Sequence, residues 1–66
     1  MKRYRCVFQF AKGRTTIDVV ADNAERALDN AAETVQNAAD RVEIWDETGL
    51  VLQRGNWVPV ARLKPS

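Results

Sequence analysis

The sequence predicts an α+β fold of ββαββ type, with one helix packed on one face of an antiparallel sheet of four to five strands. Three observations support this prediction. Apolar and polar residues alternate over 2–11 and 15–21, alanines recur with helical spacing over 22–40, and alternation returns over 41–46 and 50–54. The 66 residues suffice for a single domain, 1–66.

The first hairpin has one clearly apolar side. Tyr4, Cys6, Phe8 and Phe10 alternate along the first strand, and we expect them to face the core. Gly13 marks a tight turn, because glycine accepts the positive φ that short hairpins require. In the second strand we assign Ile17, Val19 and Ala21 to the core side, and Thr16, Asp18 and Val20 to the opposite side.

The predicted helix is rich in alanine. Asp22 and Glu25 have the spacing of a capping box, so we expect the helix to begin at Asp22 and to end near Asp40. Its buried stripe consists of small apolar residues, namely Ala24, Ala27, Leu28, Ala31, Val35 and Ala38. A stripe of such small side chains allows the helix to lie close to the sheet.

The second hairpin turns at 46–49. Val42 and Ile44 are predicted to face the core from the third strand, and Leu50 and Leu52 from the fourth. A further turn is predicted at 55–56. Residues 57–63 are left open as a fifth strand, which Pro59 would restrict to an edge of the sheet or to irregular structure.

The predicted connections fix the sheet order as 2-1-3-4. The helix returns the chain after strand two, so strand three can lie antiparallel beside strand one. The helix then covers one face, and the other face has no cover within the chain. We predict that this open face carries Arg3, Arg5, Val7, Gln9, Thr16, Asp18, Val20, Glu43, Trp45, Val51 and Gln53.

Trp45 is the central candidate for binding, and three interpretations stay open. It can pack over neighbouring valines as a small second cluster, contact another protein, or stack on nucleic-acid bases. The valines favour protein contact, since a nucleic-acid surface is usually lined with more lysine and arginine. The candidate binding residues on the open face are Arg3, Arg5, Val7, Trp45, Val51 and Arg54.

Two further features have both a structural and a functional interpretation. Trp57 lies near Arg54 and could be a second exposed ring, but we favour a role in sealing the core. Glu25, Asp29 and Glu33 form an acidic row along the helix. We favour an ordinary solvated face, with an acidic strip that meets a basic groove on a partner as the weaker alternative.

Composition argues against catalysis. The chain has no histidine, and its one serine is Ser66 at the C-terminus. Cys6 is placed on the core side of a strand with no acid or base beside it, and the glycines form no phosphate-binding loop. We therefore predict no catalytic residues, no metal site and no cofactor.

The small size favours self-association. A 66-residue chain has a thin core, and its lone cysteine cannot form a disulfide within the chain. A homodimer is therefore expected. We see no signal peptide and no apolar run of membrane-spanning length, which predicts a cytoplasmic protein with no membrane contact. Residues 22–40 have five acids and one base (−4), and the rest has nine bases and four acids (+5).

Two segments carry a resemblance to other proteins. V-V-A-D-N-A-E-R-A-L-D-N-A at 19–31 and V-E-I-W-D-E-T-G-L-V-L at 42–52 resemble small bacterial and phage proteins of uncharacterised function. The first three elements are also similar to HicB-type antitoxin domains, but the proline-rich segment that normally precedes the helix is missing. The resemblance implies a compact domain of the kind phages use to inhibit host complexes.

These observations together predict a small non-catalytic interaction or regulatory protein. It would be encoded by a phage or another mobile element, and would act as an inhibitor by binding a larger partner protein. The alternative is a nucleic-acid-binding module that uses the open face.

Overall fold

The computed structural model describes residues 1–59. Four strands and one helix follow in the order β1 (Lys2–Phe10), β2 (Gly13–Ala21), α1 (Ala24–Ala32), β3 (Ala39–Asp46) and β4 (Gly49–Trp57). The strands form one sheet of order β2-β1-β3-β4, in which every neighbouring pair is antiparallel. The predicted fold class and strand order are confirmed.

Glycines close both hairpins. Gly13 pairs with Phe10 across a two-residue turn and has φ 157, and Gly49 pairs with Asp46 and has φ 125. L-residues rarely adopt either conformation, so glycine suits both positions. The first hairpin then pairs without interruption as far as Lys2 and Ala21.

The core lies between the sheet and α1. Cys6, Phe8, Val42 and Ile44 are fully buried, and so are the helix residues Ala27 and Ala31. The helix lies mainly over β2 and the adjacent β1, and meets β3 and β4 less. Close approach is evident at Cys6, whose Sγ lies 3.7 Å from the carbonyl oxygen of Ala27. Small helix side chains permit this distance, as the sequence predicted.

The helix is capped one residue later than predicted. Its N-cap is Asn23, whose side-chain oxygen accepts a hydrogen bond from the Arg26 backbone N–H at 2.9 Å. Asp22 is exposed and lies outside the helix. The capping role of Asp22 was therefore predicted wrongly, because Asp22 and Asn23 are both good N-cap residues and the sequence does not separate them.

The helix also ends much earlier than predicted, at Ala32 instead of near Asp40. Beyond it the Thr34 N–H bonds Ala31 O at 3.1 Å, the Val35 N–H bonds Ala32 O at 3.2 Å, and the Thr34 hydroxyl donates to Ala31 O at 2.9 Å. These bonds tighten and close the last turn. Val35 remains buried, but the predicted core residue Ala38 is exposed.

The last strand differs from prediction in length and in register. β4 runs from Gly49 to Trp57, so the turn predicted at 55–56 is wrong. Ile44 pairs with Leu52 and Trp45 pairs with Leu50, which leaves Val51 as an extra residue in a β-bulge. The bulge shifts the alternation by one residue. Leu50 consequently leaves the core side and is 43% exposed, contrary to prediction, whereas Leu52 packs against the core.

Trp57 seals the core, as predicted. Asn56 has φ 49, which interrupts the extended backbone just before it. The Trp57 ring packs edge-on against Phe8, with centroids 5.0 Å apart and planes at 63°. Trp57 ends β4, and Val58 and Pro59 belong to no strand. A fifth strand over 57–63 was an open possibility, and residues 60–63 of that range lie outside the described residues.

Candidate protein-contact surface on the open sheet face

The open face is the side of the sheet opposite α1. Side chains of paired residues in neighbouring strands point to the same side, so the register places this surface directly. Its central row crosses all four strands in the order Asp18, Arg5, Trp45 and Leu50. The adjacent row runs through Thr16, Val7, Glu43 and Gln53.

Trp45 is held in position by a carboxylate on its own strand. Its Nε1–H donates to Oε1 of Glu43 at 3.4 Å, and Oε2 of Glu43 lies 3.6 Å from Nε of Arg41. The indole nevertheless remains 38% exposed. A tryptophan fixed by one polar contact with its ring open to solvent is well placed for contact with a partner.

Arg5 also has an acidic neighbour. Its Nε lies 3.3 Å from Oδ1 of Asp18, and both side chains are mostly exposed. An ion pair this exposed stabilises the fold little, by about 0–1 kcal/mol. It does, however, compensate much of the guanidinium charge beside Trp45. Arg3, opposite Val20, makes no ion pair with residues 1–59.

Exposed apolar side chains lie toward both ends of this central row. Val20 is 52% exposed and Leu50 is 43% exposed, and both lie on the open face. Val51 in the bulge is 42% exposed, whereas Val7 is half-buried. A shallow groove runs over the same side, past Arg3, Arg5, Val7 and Trp45 to Glu47. The open face therefore has charged side chains and Trp45 on its inner strands, and exposed aliphatic side chains on its two edge strands.

The structure brings four of the six predicted binding residues together. Arg3, Arg5, Val7 and Trp45 all lie on the open face, and Val51 adjoins them through the bulge. Arg54 does not join them.

Arg54 pairs with the buried residue Val42, which places it on the helix side of the sheet. Its Nη1 donates to the carbonyl oxygen of Gln53 at 3.0 Å. The predicted position of Arg54 on the open face is thus corrected. Leu50 takes a place there that strict alternation could not reveal.

The acidic residues of α1 lie on the other side of the molecule. Glu25 and Asp29 are exposed, and Glu33 is the C-cap of the helix. None of the three makes an ion pair within residues 1–59. The open face and this acidic row are therefore separate surfaces on opposite sides of the sheet.

The β3–β4 turn uses its polar groups internally. The Thr48 N–H donates to Oδ1 of Asp46 at 2.7 Å, and the Thr48 hydroxyl donates to the same oxygen. Both hydrogen bonds lower the pKa of Asp46, and the bond from the Thr48 hydroxyl has the larger effect. Among residues 1–59, no cluster of three or more acidic, cysteine or histidine side chains has the arrangement of a metal site.

No protein-family model matches the chain, and no curated protein or solved structure matches it at a significant level. Within residues 1–59, no helix combines the length and the apolar character needed to cross a lipid bilayer.

Proposed function

We propose that the chain is a small non-catalytic interaction protein that binds a larger partner protein through the open face. The supporting observation is the central row, in which an exposed Trp45 on the inner strand β3 stands between Arg5 on β1 and Leu50 on β4. Tryptophan and arginine are the residues most enriched where binding energy concentrates in protein interfaces.

The surroundings of Trp45 favour a protein partner. Leu50 is exposed directly opposite it and Val51 is exposed in the adjoining bulge, so a partner would cover apolar side chains that now face solvent. Each Å² of apolar surface removed from water contributes roughly 25 cal/mol. The rigid sheet beneath these side chains also reduces the conformational entropy lost on binding.

Nucleic-acid binding through the same face is the less favoured alternative. Asp18 compensates the charge of Arg5, and Glu43 compensates the charge of Arg41. Phosphate binding would have to compete with both carboxylates. Arg54, which was predicted to add positive charge to the open face, lies on the helix side of the sheet.

The protein would regulate its partner by covering part of the partner's surface. A protein that acts by covering a surface needs shape and apolar contact, and needs no reacting group. The resemblance of 19–31 and 42–52 to small bacterial and phage proteins is compatible with an inhibitor encoded by a phage or another mobile element. On this view the open face occupies a site on the partner that another ligand would otherwise use.

The test is affinity purification of tagged protein from nuclease-treated lysate of the source organism. Three baits are compared, namely the wild-type chain, Trp45→Ala on the open face, and Glu25→Ala as a matched surface control on α1. The proposal requires one protein that wild type and Glu25→Ala retain in similar amount and that Trp45→Ala loses. Equal recovery with Trp45→Ala would overturn it.

The nucleic-acid alternative has its own measurement. Binding of single- and double-stranded DNA and RNA is assayed by gel shift at low and at physiological salt. Phosphate contacts release counterions, so genuine binding weakens steeply as salt rises. Salt-dependent binding that Trp45→Ala abolishes would replace the protein-contact proposal with the alternative.

A further inference from the structure

The two edge strands of the sheet differ in how well they are protected against pairing. Exposed edges usually carry bulges, lysine, proline or a covering element that prevents association with other chains. β4 has a bulge at Val51 and a left-handed residue at Asn56. β2 has neither feature, and pairs regularly with β1 over its full length from Gly13 to Ala21.

The hydrogen-bonding groups on the free side of β2 can be identified from two contacts. Asn30 Nδ2 on α1 donates to the carbonyl oxygen of Val20 at 3.5 Å, so this oxygen points away from β1. The carbonyl oxygen of Gly13 accepts from Gln9 Nε2 of β1 at 3.5 Å, so it points toward β1. The backbone N–H and C=O groups of successive strand residues point alternately to the two sides of the strand. Arg14, Thr16 and Asp18 therefore direct these groups outward, away from β1, as Val20 does.

α1 protects only one end of this edge. Asn30 satisfies the outward carbonyl of Val20, but no hydrogen bond to a side chain reaches the outward groups of Arg14, Thr16 or Asp18 within residues 1–59. The free segment is therefore 14–18. It contains no proline, lysine or bulge.

The sequence of this segment is self-complementary. In an antiparallel pair of two β2 strands with the two-fold axis at Thr16, Thr16 lies opposite itself and Arg14 lies opposite Asp18. All of these are outward-facing residues, so each pair can exchange both backbone hydrogen bonds. The same register places a guanidinium beside a carboxylate on both sides of the axis. Moving the axis to Asp18 would place like charges together.

We infer that β2 pairs with β2 of a second copy of this chain in this register, which forms a two-fold symmetric dimer with one continuous eight-stranded sheet. The contact is isologous, as in most homodimers. It also places Thr15 of the second copy opposite Ile17, which is only half-buried on the helix side of the edge. A formal net charge of +1 per chain causes little repulsion between copies.

The dimer would leave the open face accessible. The adjacent row through Thr16 would continue into its own copy across the two-fold axis, and two copies of Trp45 would lie on the same side of one sheet. This arrangement differs from a dimer in which two open faces pack together. The edge dimer does not depend on the proposed partner binding, and each can fail without the other.

The first test measures molar mass by size-exclusion chromatography with light scattering at high micromolar concentration. Wild type is expected at twice the 7.5 kDa chain mass. Thr16→Pro removes one outward N–H and should give a monomer, whereas Thr16→Val keeps the N–H and should stay dimeric. Circular dichroism checks that both variants retain the fold.

The second test is specific to the register and does not require proline in a strand. R14D and D18R each place like charges opposite in their own homodimers, so each alone should weaken self-association about tenfold or more. An equimolar mixture of the two restores both opposite-charge pairs. Dimer should therefore reappear on mixing, and native mass spectrometry should show the heterodimer in excess of both homodimers.

Three results would overturn the inference. One is a monomeric wild type at high micromolar concentration. Another is a dimer that Trp45→Ala dissociates while Thr16→Pro does not, since that result would place the interface on the open face. The third is a mixture of R14D and D18R that associates no better than either variant alone.

Discussion

Arg5 and Trp45 lie directly opposite each other on β1 and β3, the two inner strands of the sheet, on the side that α1 does not cover. The indole is 38% exposed there, whereas Trp57 on the helix side is 9% exposed and packs on Phe8. The two tryptophans therefore have different roles. One is available to a partner, and the other closes the core.

This difference predicts that truncating the two rings destabilises the protein to different extents. Trp57→Ala removes a large buried side chain and should lower the free energy of unfolding by about 3–5 kcal/mol. Trp45→Ala removes a ring that is 38% exposed and should cost about half as much or less, because less apolar surface leaves its contacts. Urea denaturation monitored by circular dichroism measures both. Similar losses for the two variants would contradict the assignment of Trp57 to the core.

The N-cap provides a second prediction. Asn23 accepts the hydrogen bond from the Arg26 N–H, so Asn23→Ala should destabilise the protein by about 1 kcal/mol. Asp22→Ala is the matched control, because Asp22 lies next to the cap and makes no capping bond in the described helix. The control should be nearly neutral in thermal unfolding. A larger loss for Asp22→Ala would show that the helix begins where the sequence pattern first suggested.

The buried thiol of Cys6 should make the folded protein less stable at alkaline pH. Burial, and secondarily the charge of Asp18, raises the pKa of the Cys6 thiol from 9.0 to about 11. The unfolded chain loses this proton at lower pH than the folded chain, so the native state is favoured below pH 9. That contribution falls as the pH rises from 9 to 11, by about 2–3 kcal/mol in total.

The measurement compares wild type with Cys6→Ala in urea titrations across pH 8 to 11. Other groups titrate in both proteins, so the difference between their pH slopes isolates the thiol. We expect a steeper loss of stability in wild type. Parallel curves, or rapid alkylation of Cys6 in the folded protein at neutral pH, would contradict a buried protonated thiol.

The close contact between α1 and the sheet gives a fourth prediction. Ala27 is fully buried and its carbonyl meets the Cys6 thiol, so Ala27→Leu should overpack this layer and cost about 1–3 kcal/mol. Ala38→Leu is the control. It lies on the same alanine pattern but is exposed after the end of the helix, and it should change stability by less than about 0.5 kcal/mol. Equal costs would indicate that the helix continues to Ala38.

The strands and their order could be predicted because local and tertiary signals agree. Period-two alternation in β1 and β3, together with Gly13 and Gly49 at the turns, fits only an antiparallel pairing. The end of α1 could not be predicted in this way. The alanine pattern continues through Val35 and Ala38, but pairing of Ala39 with Trp57 extends the chain instead. Tertiary contacts thus override helix propensity there.

The candidate surface was predicted in part for a related reason. Alternation placed Arg5, Val7 and Trp45 correctly, because β1 and β3 are regular over those residues. It failed on β4, where the bulge at Val51 moved Leu50 to the open face and left Leu52 on the core side. A bulge depends on how two strands twist against each other, and no residue pattern in 49–57 predicts it.

The most direct test of the contact surface is site-specific photo-crosslinking in living cells of the source organism. A benzophenone side chain replaces Leu50 on the open face or, in the matched control, Glu25 on α1. We predict that the probe at position 50 gives one discrete protein adduct that Trp45→Ala abolishes, and that the probe at position 25 does not. An adduct from position 25 alone, or one from position 50 that survives Trp45→Ala, would contradict a partner-binding role for the open face.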